Sequence, residues 1–329
     1  MIFWVADIGG TNCRLAEFEG EWPEQNASPT DESTQTQSVH MNLRRKYTTQ
    51  TSTINTAEKL LESFQEHFGH KTDEVLGLCI AVAGPVKDNK VQLTNANLTL
   101  DGQQIAADFG LEHVLMLNDF MAQAYACLEP LGRECINERA EPSRDVRAVV
   151  GVGTGLGCAT LVPVGQSGWQ ALPSEVGHIP FPFDEEEEGF ANWLKGRLKK
   201  NFLEAEDVLS GRGLQALHTF MTGKVEDPKD ILEARGETVT KYWWSGFYGR
   251  FCRMLALTLL PFGGLWISGG IAIKHPALIR SEAFASEFNL SNTVLKNTFI
   301  PLFLFKNEQV GLYGCATALK VKIWPNLYS

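Results

Sequence analysis

The sequence predicts an α/β protein with a duplicated architecture, and three observations predict it. Apolar runs of strand length alternate with segments of helical spacing along the chain. Two glycine–threonine turns, Gly9-Gly10-Thr11 and Gly153-Thr154-Gly155, each join two apolar runs and lie about half a chain apart. At 329 residues the chain has room for two domains, at about 150 residues each.

The opening run, Phe3 to Ile8, carries Asp7 and breaks at Gly9-Gly10-Thr11-Asn12; an apolar/polar alternation then resumes at Cys13. This reads as strand, tight turn, strand. Such a turn exposes backbone N–H groups and one hydroxyl, which suit phosphate oxygens, and Asp7 beside it suits a hydrated Mg²⁺. A plain hairpin has the same composition. Residues 21–46 are polar, contain Pro23 and Pro29, and are expected to form a surface loop or long hairpin tip. Thr56 to Phe68 has helical spacing through Ala57, Leu60, Leu61, Phe64 and Phe68. Val75 to Ala83 is a buried strand that stops at Gly84-Pro85, and Val114 to Leu117 is a shorter one. Asn118-Asp119 follows that strand and precedes a helix from Phe120 to Leu128. In α/β sheets ligands bind at such strand ends; Asn and Asp are also favoured helix caps, so capping alone accounts for the pair equally simply. A domain change is expected near residues 119–145.

The second turn lies in Val149 to Val162, and neither turn has the Gly-x-x-x-x-Gly-Lys-Ser/Thr of a P-loop or the spacing of a dinucleotide fingerprint. Glu175, Gly177 and His178 sit within one short loop, where a carboxylate and an imidazole can address one polar ligand; a structural histidine is the plainer reading. The acidic run Asp184 to Glu188 reads as a solvated helix start in preference to a metal site, because acids favour a helix N-terminus. The helix it opens spans Gly189 to Phe202. Glu204 to Gly211 is acidic ahead of a short helix and again suits capping. Glu237 to Leu260 is a long apolar helix stopped by Pro261. Gly263 to Ile271 reads as a buried strand running into a Gly-Gly helix start, where Gly269 and Gly270 let a flat ring lie against backbone. Phe299 to Phe305 is a strand, and Leu312 to Ile323 is the last helix.

Composition narrows the function classes. With 44% hydrophobic and 21% charged residues the chain is an ordinary globular protein. A net charge of −10 argues against nucleic acid or an anionic membrane as partner. The seven cysteines are scattered without a Cys-x-x-Cys, so reduced thiols in a cytoplasmic protein are expected, and no zinc site. No stretch reads as a signal peptide or a membrane span.

Six motifs then occur in one order: Asp7-Ile-Gly-Gly-Thr-Asn-Cys-Arg-Leu15, Leu117-Asn-Asp-Phe120, Gly151-Val-Gly-Thr-Gly-Leu-Gly157, Glu175-Val-Gly-His178, Glu206-Asp-Val-Leu-Ser-Gly211 and Ser268-Gly-Gly-Ile271. From Phe3 to about Leu319 the sequence closely resembles the bacterial ATP-dependent glucokinases, of the hexokinase/actin-like ATPase superfamily. The resemblance implies a two-lobed, hexokinase-type actin-like ATPase fold, with a duplicated βββαβα core and a central cleft. The small lobe would comprise residues 1–129 plus 307–329, and the large lobe 130–306. The implied reaction is phosphorylation of glucose at its 6-hydroxyl by ATP with Mg²⁺. By resemblance Asp119 matches the catalytic base, and Asn95, Asn118, Glu175, His178 and Glu206 match sugar contacts. Gly9, Gly10, Thr11, Asn12, Gly153, Thr154 and Gly155 match the phosphate loops. Asp7 matches the acid that holds Mg²⁺ through water, and Gly269-Gly270 the adenine-side turn. Leu98 and Val176 depart from the family pattern near the sugar contacts, and Cys13 often corresponds to alanine. A kinase of another hexose (fructose, mannose or glucosamine) keeps the same phosphate motifs. An actin-type ATPase without a sugar substrate leaves Glu175, His178 and Glu206 unexplained. The resemblance also suggests a homodimer, which no feature of the sequence requires.

Overall fold

The two glycine turns belong to two separate sheets of like strand order. The computed structural model describes residues 1–20, 41–93, 98–137, 141–290 and 299–324. The chain divides into two units. The first is Met1–Leu131, Leu161–Pro173 and Gln309–Ser329; the second is Gly132–Thr160 and Ser174–Glu308.

In the first unit β1 (Ile2–Ile8), β2 (Asn12–Gly20) and β3 (Met41–Gln50) precede α1 (Ala57–Phe68) and β4 (Val75–Val82). A small hairpin of β5 (Lys90–Leu93) and β6 (Leu98–Asp101) leads to α2 (Gly102–Phe109), β7 (His113–Asn118) and α3 (Asp119–Ala126). The sheet order is β3-β2-β1-β4-β7, with β1–β2 and β2–β3 antiparallel and β1–β4 and β4–β7 parallel. Because strand side chains alternate, β1 serves two cores. Trp4, Ala6 and Ile8 pack with α1 on one face, where Trp4 stacks on Phe64 at 4.9 Å. Phe3 and Val5 pack on the other face, against Leu312, Cys315, Ala316 and Leu319. Helix α1 starts where Thr56 Oγ1 accepts from the Lys59 amide and ends at Gly69, whose φ of 79° suits glycine.

The second sheet takes β8 (Arg133–Cys135), β9 (Arg147–Val152), β10 (Leu156–Val164) and β11 (Gly168–Ser174), of which residues 161–173 group with the first unit and the rest with the second. Helices follow: α4 (Glu188–Leu198), α5 (Ala205–Val208), α6 (Gly211–Thr222), α7 (Pro228–Glu233) and α8 (Val239–Leu259). The chain continues through β12 (Leu265–Ser268), α9 (Gly270–Lys274), α10 (Glu282–Phe288) and β13 (Leu302–Phe305), and then returns to the first unit as α11 (Val310–Ile323). This sheet runs β11-β10-β9-β12-β13-β8, and β12 is parallel to both β9 and β13. Without β8 the order repeats that of the first sheet, which is the duplication the two turns predicted. Trp244, Tyr248 and Phe251 of α8 are fully buried in the core of this unit.

Three sequence expectations change. Residues 41–46 of the polar segment are not loop: they belong to β3, which pairs with β2 and buries Met41; residues 21–40 lie outside the described residues. Helix α4 stops at Leu198, because Lys199 is left-handed at φ 54°, and Phe202 is exposed. The acidic run is not wholly solvated. Glu187 is buried and takes a bidentate pair from buried Arg250 at 2.6 and 2.7 Å. The same guanidinium reaches Asp184, Glu287 and the Pro182 carbonyl.

Candidate active site

The first unit gathers its chemistry at the C-terminal edge of three parallel strands. Asp7 on β1 is in register with Ala81 on β4, and Ala81 with Leu117 on β7. The next residues of β7 and α3 are Asn118 and Asp119, so the three acidic and amide side chains share one edge. The turn beyond β1 closes when the Gly9 amide donates to the Asn12 carbonyl at 3.0 Å. Thr51 pins it from outside: its hydroxyl donates to the Gly9 carbonyl at 2.7 Å and its amide to the Thr11 carbonyl at 2.9 Å. Gly10, Thr11 and Asn12 are exposed.

Asp7 is paired with Arg14 at 3.0 Å. Burial raises its carboxyl above the usual range, and the Arg14 charge opposes that rise only in part. Burial, helped by Asp7, also pushes the neighbouring Cys13 thiol up to about 12, which keeps it an inert thiol. Asn118 and Asp119 do cap α3. Each offers a side-chain oxygen 2.9 Å from the Phe120 amide, and Asn118 Nδ2 donates to the Gly84 carbonyl at 3.2 Å. Both residues therefore act as caps. Leu98 is buried in the core of this unit. Asn95 lies outside the described residues.

In the second unit the Glu175–His178 motif, the Glu206 motif and the glycine turn converge on one residue, Leu156, the first of β10. Its amide donates to Glu206 Oε2 at 3.0 Å. A Cβ on Gly177 would stand 2.4 Å from its carbonyl oxygen, so only glycine lets the 175–178 loop approach so closely. Gly155 is glycine for a related reason: a Cβ there would meet Glu206 Oε2 at 2.5 Å. The Gly211 amide, at the start of α6, donates to the Gly153 carbonyl at 2.9 Å, and Arg212 lies 3.3 Å from Glu206 Oε1. Gly269, at φ 86°, would drive a Cβ into the Val152 backbone at 2.4 Å. Its freedom is thus demanded by β9, whereas nothing lies within 4 Å of a Cβ at Gly270 or Gly153.

The loops bearing His178 and Glu206 run side by side, since the Phe181 amide donates to Leu203 and the Ala205 amide to Ile179. This brings a residue read only as a cap into the site. Glu204 Oε1 lies 3.4 Å from His178 Nδ1, while Glu175 Oε2 lies 3.9 Å from Nε2. Lys200 Nζ holds Glu204 at 2.6 Å and Asp207 at 2.7 Å. The Lys200 ammonium draws the Glu204 carboxyl below its usual range. Thr51, Arg14, Lys200 and Glu204 are the site-shaping residues that sequence reasoning missed. Only Lys200–Glu204 left a trace, as an i,i+4 charge pair, and the end of α4 before Lys200 hid its meaning.

Comparison with known proteins follows the same lines. A family model described as Glucokinase matches residues 4–322. A glucokinase of Pectobacterium atrosepticum is 30% identical over 335 residues, covering 96% of each chain. One of Pseudomonas aeruginosa is 28% identical over 334 residues, covering 96% of this chain and 94% of its own. The crystal structure of a glucokinase from an Antarctic psychrotroph superposes with a TM-score of 0.79 at 25% identity, covering 97% of this chain and 98% of that one. The shared architecture is the actin-like ATPase fold.

Proposed function

The chain belongs to the glucokinase family, and from that premise we propose which of its residues carry the phosphorylation of glucose by ATP. The observation that carries the reading is the common strand edge of Asp7, Asn118 and Asp119, with the Gly9–Asn12 turn beside them. A carboxylate at that edge is placed to accept a proton, and a turn of exposed amides is suited to phosphate.

Asp119 takes the proton from the sugar 6-hydroxyl. That oxygen forms its bond to the γ-phosphorus as the bond from γ-phosphorus to the bridging oxygen breaks, and ADP leaves with the electron pair. The first unit supplies this base and, in Gly9, Gly10, Thr11 and Asn12, one phosphate turn. The second supplies the other turn, Gly153, Thr154 and Gly155, with Gly269-Gly270 on the adenine side. Asn118, Glu175, His178 and Glu206 bond the ring hydroxyls, with Asn95 a further contact. Among the described residues no group of three or more His, Cys, Asp or Glu is arranged to hold a metal ion. A lone carboxylate such as Asp7 fits Mg²⁺, which keeps its waters and is held mainly by nucleotide phosphates. Bound there through water, Mg²⁺ would offset phosphate charge. We read the lobes as 1–129 plus 307–329 and 130–306, bounds that differ from the compact units chiefly at 161–173. Among the described residues no helix is long and apolar enough to cross a membrane. On the family resemblance we read a cytoplasmic enzyme without a nucleic-acid partner, with a homodimer as a candidate state.

Asp119→Asn tests the centre of this reading. The amide keeps the size and the capping oxygen but takes no proton. The variant is expected to fold, to bind glucose within about tenfold of wild type, and to lose at least about a hundredfold in kcat. Near-normal turnover with a lowered Tm would reduce Asp119 to a helix cap.

A further inference from the structure

We propose that Glu204 is a positioning residue that sets the tautomer of His178, so that the ring presents Nε2 as a hydrogen-bond acceptor to a sugar hydroxyl. This rests on the reading of His178 as a sugar contact. The His178 side chain is 58% exposed and has a carboxylate near each nitrogen. The two carboxylates are not equivalent. Glu175 is 67% exposed, and its nearer oxygen is 3.9 Å away. Glu204 is 25% exposed, sits at 3.4 Å, and is fixed from behind. Lys200 Nζ donates to it at 2.6 Å, and its own amide donates to Asp207 Oδ2 at 2.9 Å. Lys200 also bonds both Asp207 oxygens, so the lysine ties Glu204 to the helix it precedes.

A neutral imidazole carries one N–H, and the partner of one nitrogen decides the role of the other. The fixed carboxylate captures the Nδ1–H. Nε2 is then left with a lone pair, next to the Glu175 carboxylate. The pair forms an acceptor-only edge, which selects a ligand that brings two O–H donors. Adjacent sugar hydroxyls bring them.

The test combines spectroscopy with kinetics. Nitrogen-15 spectra of histidine-labelled wild-type enzyme, with His178 assigned by its loss in His178→Gln, should show the Nδ1–H form; an Nε2–H ring overturns the proposal without any Glu204 variant. Serine is a competent helix cap but cannot reach the ring, so Glu204→Ser should fold. It should raise the glucose KM about tenfold, leave kcat and the ATP KM within about threefold, and lose the Nδ1–H signature. Glu204→Gln keeps an acceptor oxygen and should restore the glucose KM to within about threefold of wild type. An unchanged glucose KM in Glu204→Ser, or equal rises for glucose and ATP, overturns the proposal. His178→Gln separates the two levels. If it raises the glucose KM while Glu204→Ser does not, only the role of Glu204 fails. If it leaves the glucose KM unchanged, the sugar-contact reading fails and this proposal with it.

Discussion

The two glycine turns sit in sheets of the same order, yet they are built differently. The first is held by main chain and one threonine: Gly9 bonds Asn12, and Thr51 bonds the Gly9 and Thr11 carbonyls. Its acid, Asp7, stands apart from those bonds, paired only with Arg14 among the ion pairs of the described residues. The second turn also has main-chain bonds, from the Gly153 amide to Gly155 and from the Gly211 amide to Gly153, but adds a carboxylate. Glu206 accepts from Leu156, crowds Gly155, and belongs to the loop that runs beside His178. In the first unit an acid can change without its turn. In the second, the turn and a proposed sugar contact form one assembly, so a single side chain would report on both substrates.

The largest expected effect breaks that assembly. Glu206→Ala leaves the Leu156 amide, on a buried residue, without its acceptor, a loss of about 1–3 kcal/mol, or about 5–150-fold in an equilibrium. Steady-state kinetics should show glucose and ATP KM rising together. A rise for glucose alone would mean that the second turn stands without Glu206, and the contrast between the turns would be lost.

A smaller effect, of opposite sign for stability, is expected at Asp7. Its carboxyl is raised in the fold above the ordinary 3.8, because burial outweighs Arg14. A raised acid binds its proton more tightly when folded. Its contribution therefore favours the fold at low pH and is lost as pH rises from about 3.8 through the raised value. At neutral pH the charge is a cost to the fold, so Asp7→Asn should leave Tm at or above wild type while kcat/KM for ATP falls about tenfold or more. A clear fall in Tm at pH 7 would show that the Arg14 pair outweighs burial.

The smallest effect sharpens the boundary of the first turn's support. Replacing residues 21–40 with a short Gly-containing turn should leave kcat within a few-fold. Extending the deletion through 46 should destabilise the fold, since it removes buried Met41 and half of β3. Loss of activity in the shorter deletion, with Tm unchanged, would assign residues 21–40 a part in catalysis.

Legibility in the sequence followed the range of the interactions. Strands buried on both faces, such as Val75–Val82, and helices with one apolar stripe, such as Ala57–Phe68, announce themselves through period and punctuation. The first part of β3 did not, because it lies at the sheet edge, residues 42–50 are mostly exposed and polar, and the short alternation of Met41 to Arg44 breaks at an irregularity in the pairing with β2. The six motifs placed the glycine turns and the strand-end acids correctly on their elements. Side-chain ties across long separations left no local signal: Arg250 to Glu187 spans 63 residues, and Thr51 to Gly9 spans 42. Glu204 was visible as an acid ahead of a helix, and only the pairing of two loops shows which ring it faces.

Helix α11 carries a consequence for how the protein is made. It packs against β1 and α3, and Gly314 comes so near α3 that a Cβ there would stand 1.8 Å from the Ala122 carbonyl oxygen. During synthesis Phe3 and Val5 emerge long before their partners Leu312, Cys315 and Leu319. On that face the first sheet therefore has α3 but not α11 as cover while the second unit is translated. The whole of the second unit, 132–160 and 174–308, lies upstream of α11 and can settle beforehand. The half that begins first finishes last, and the nascent chain spends that interval exposed to aggregation along the strand that carries Asp7.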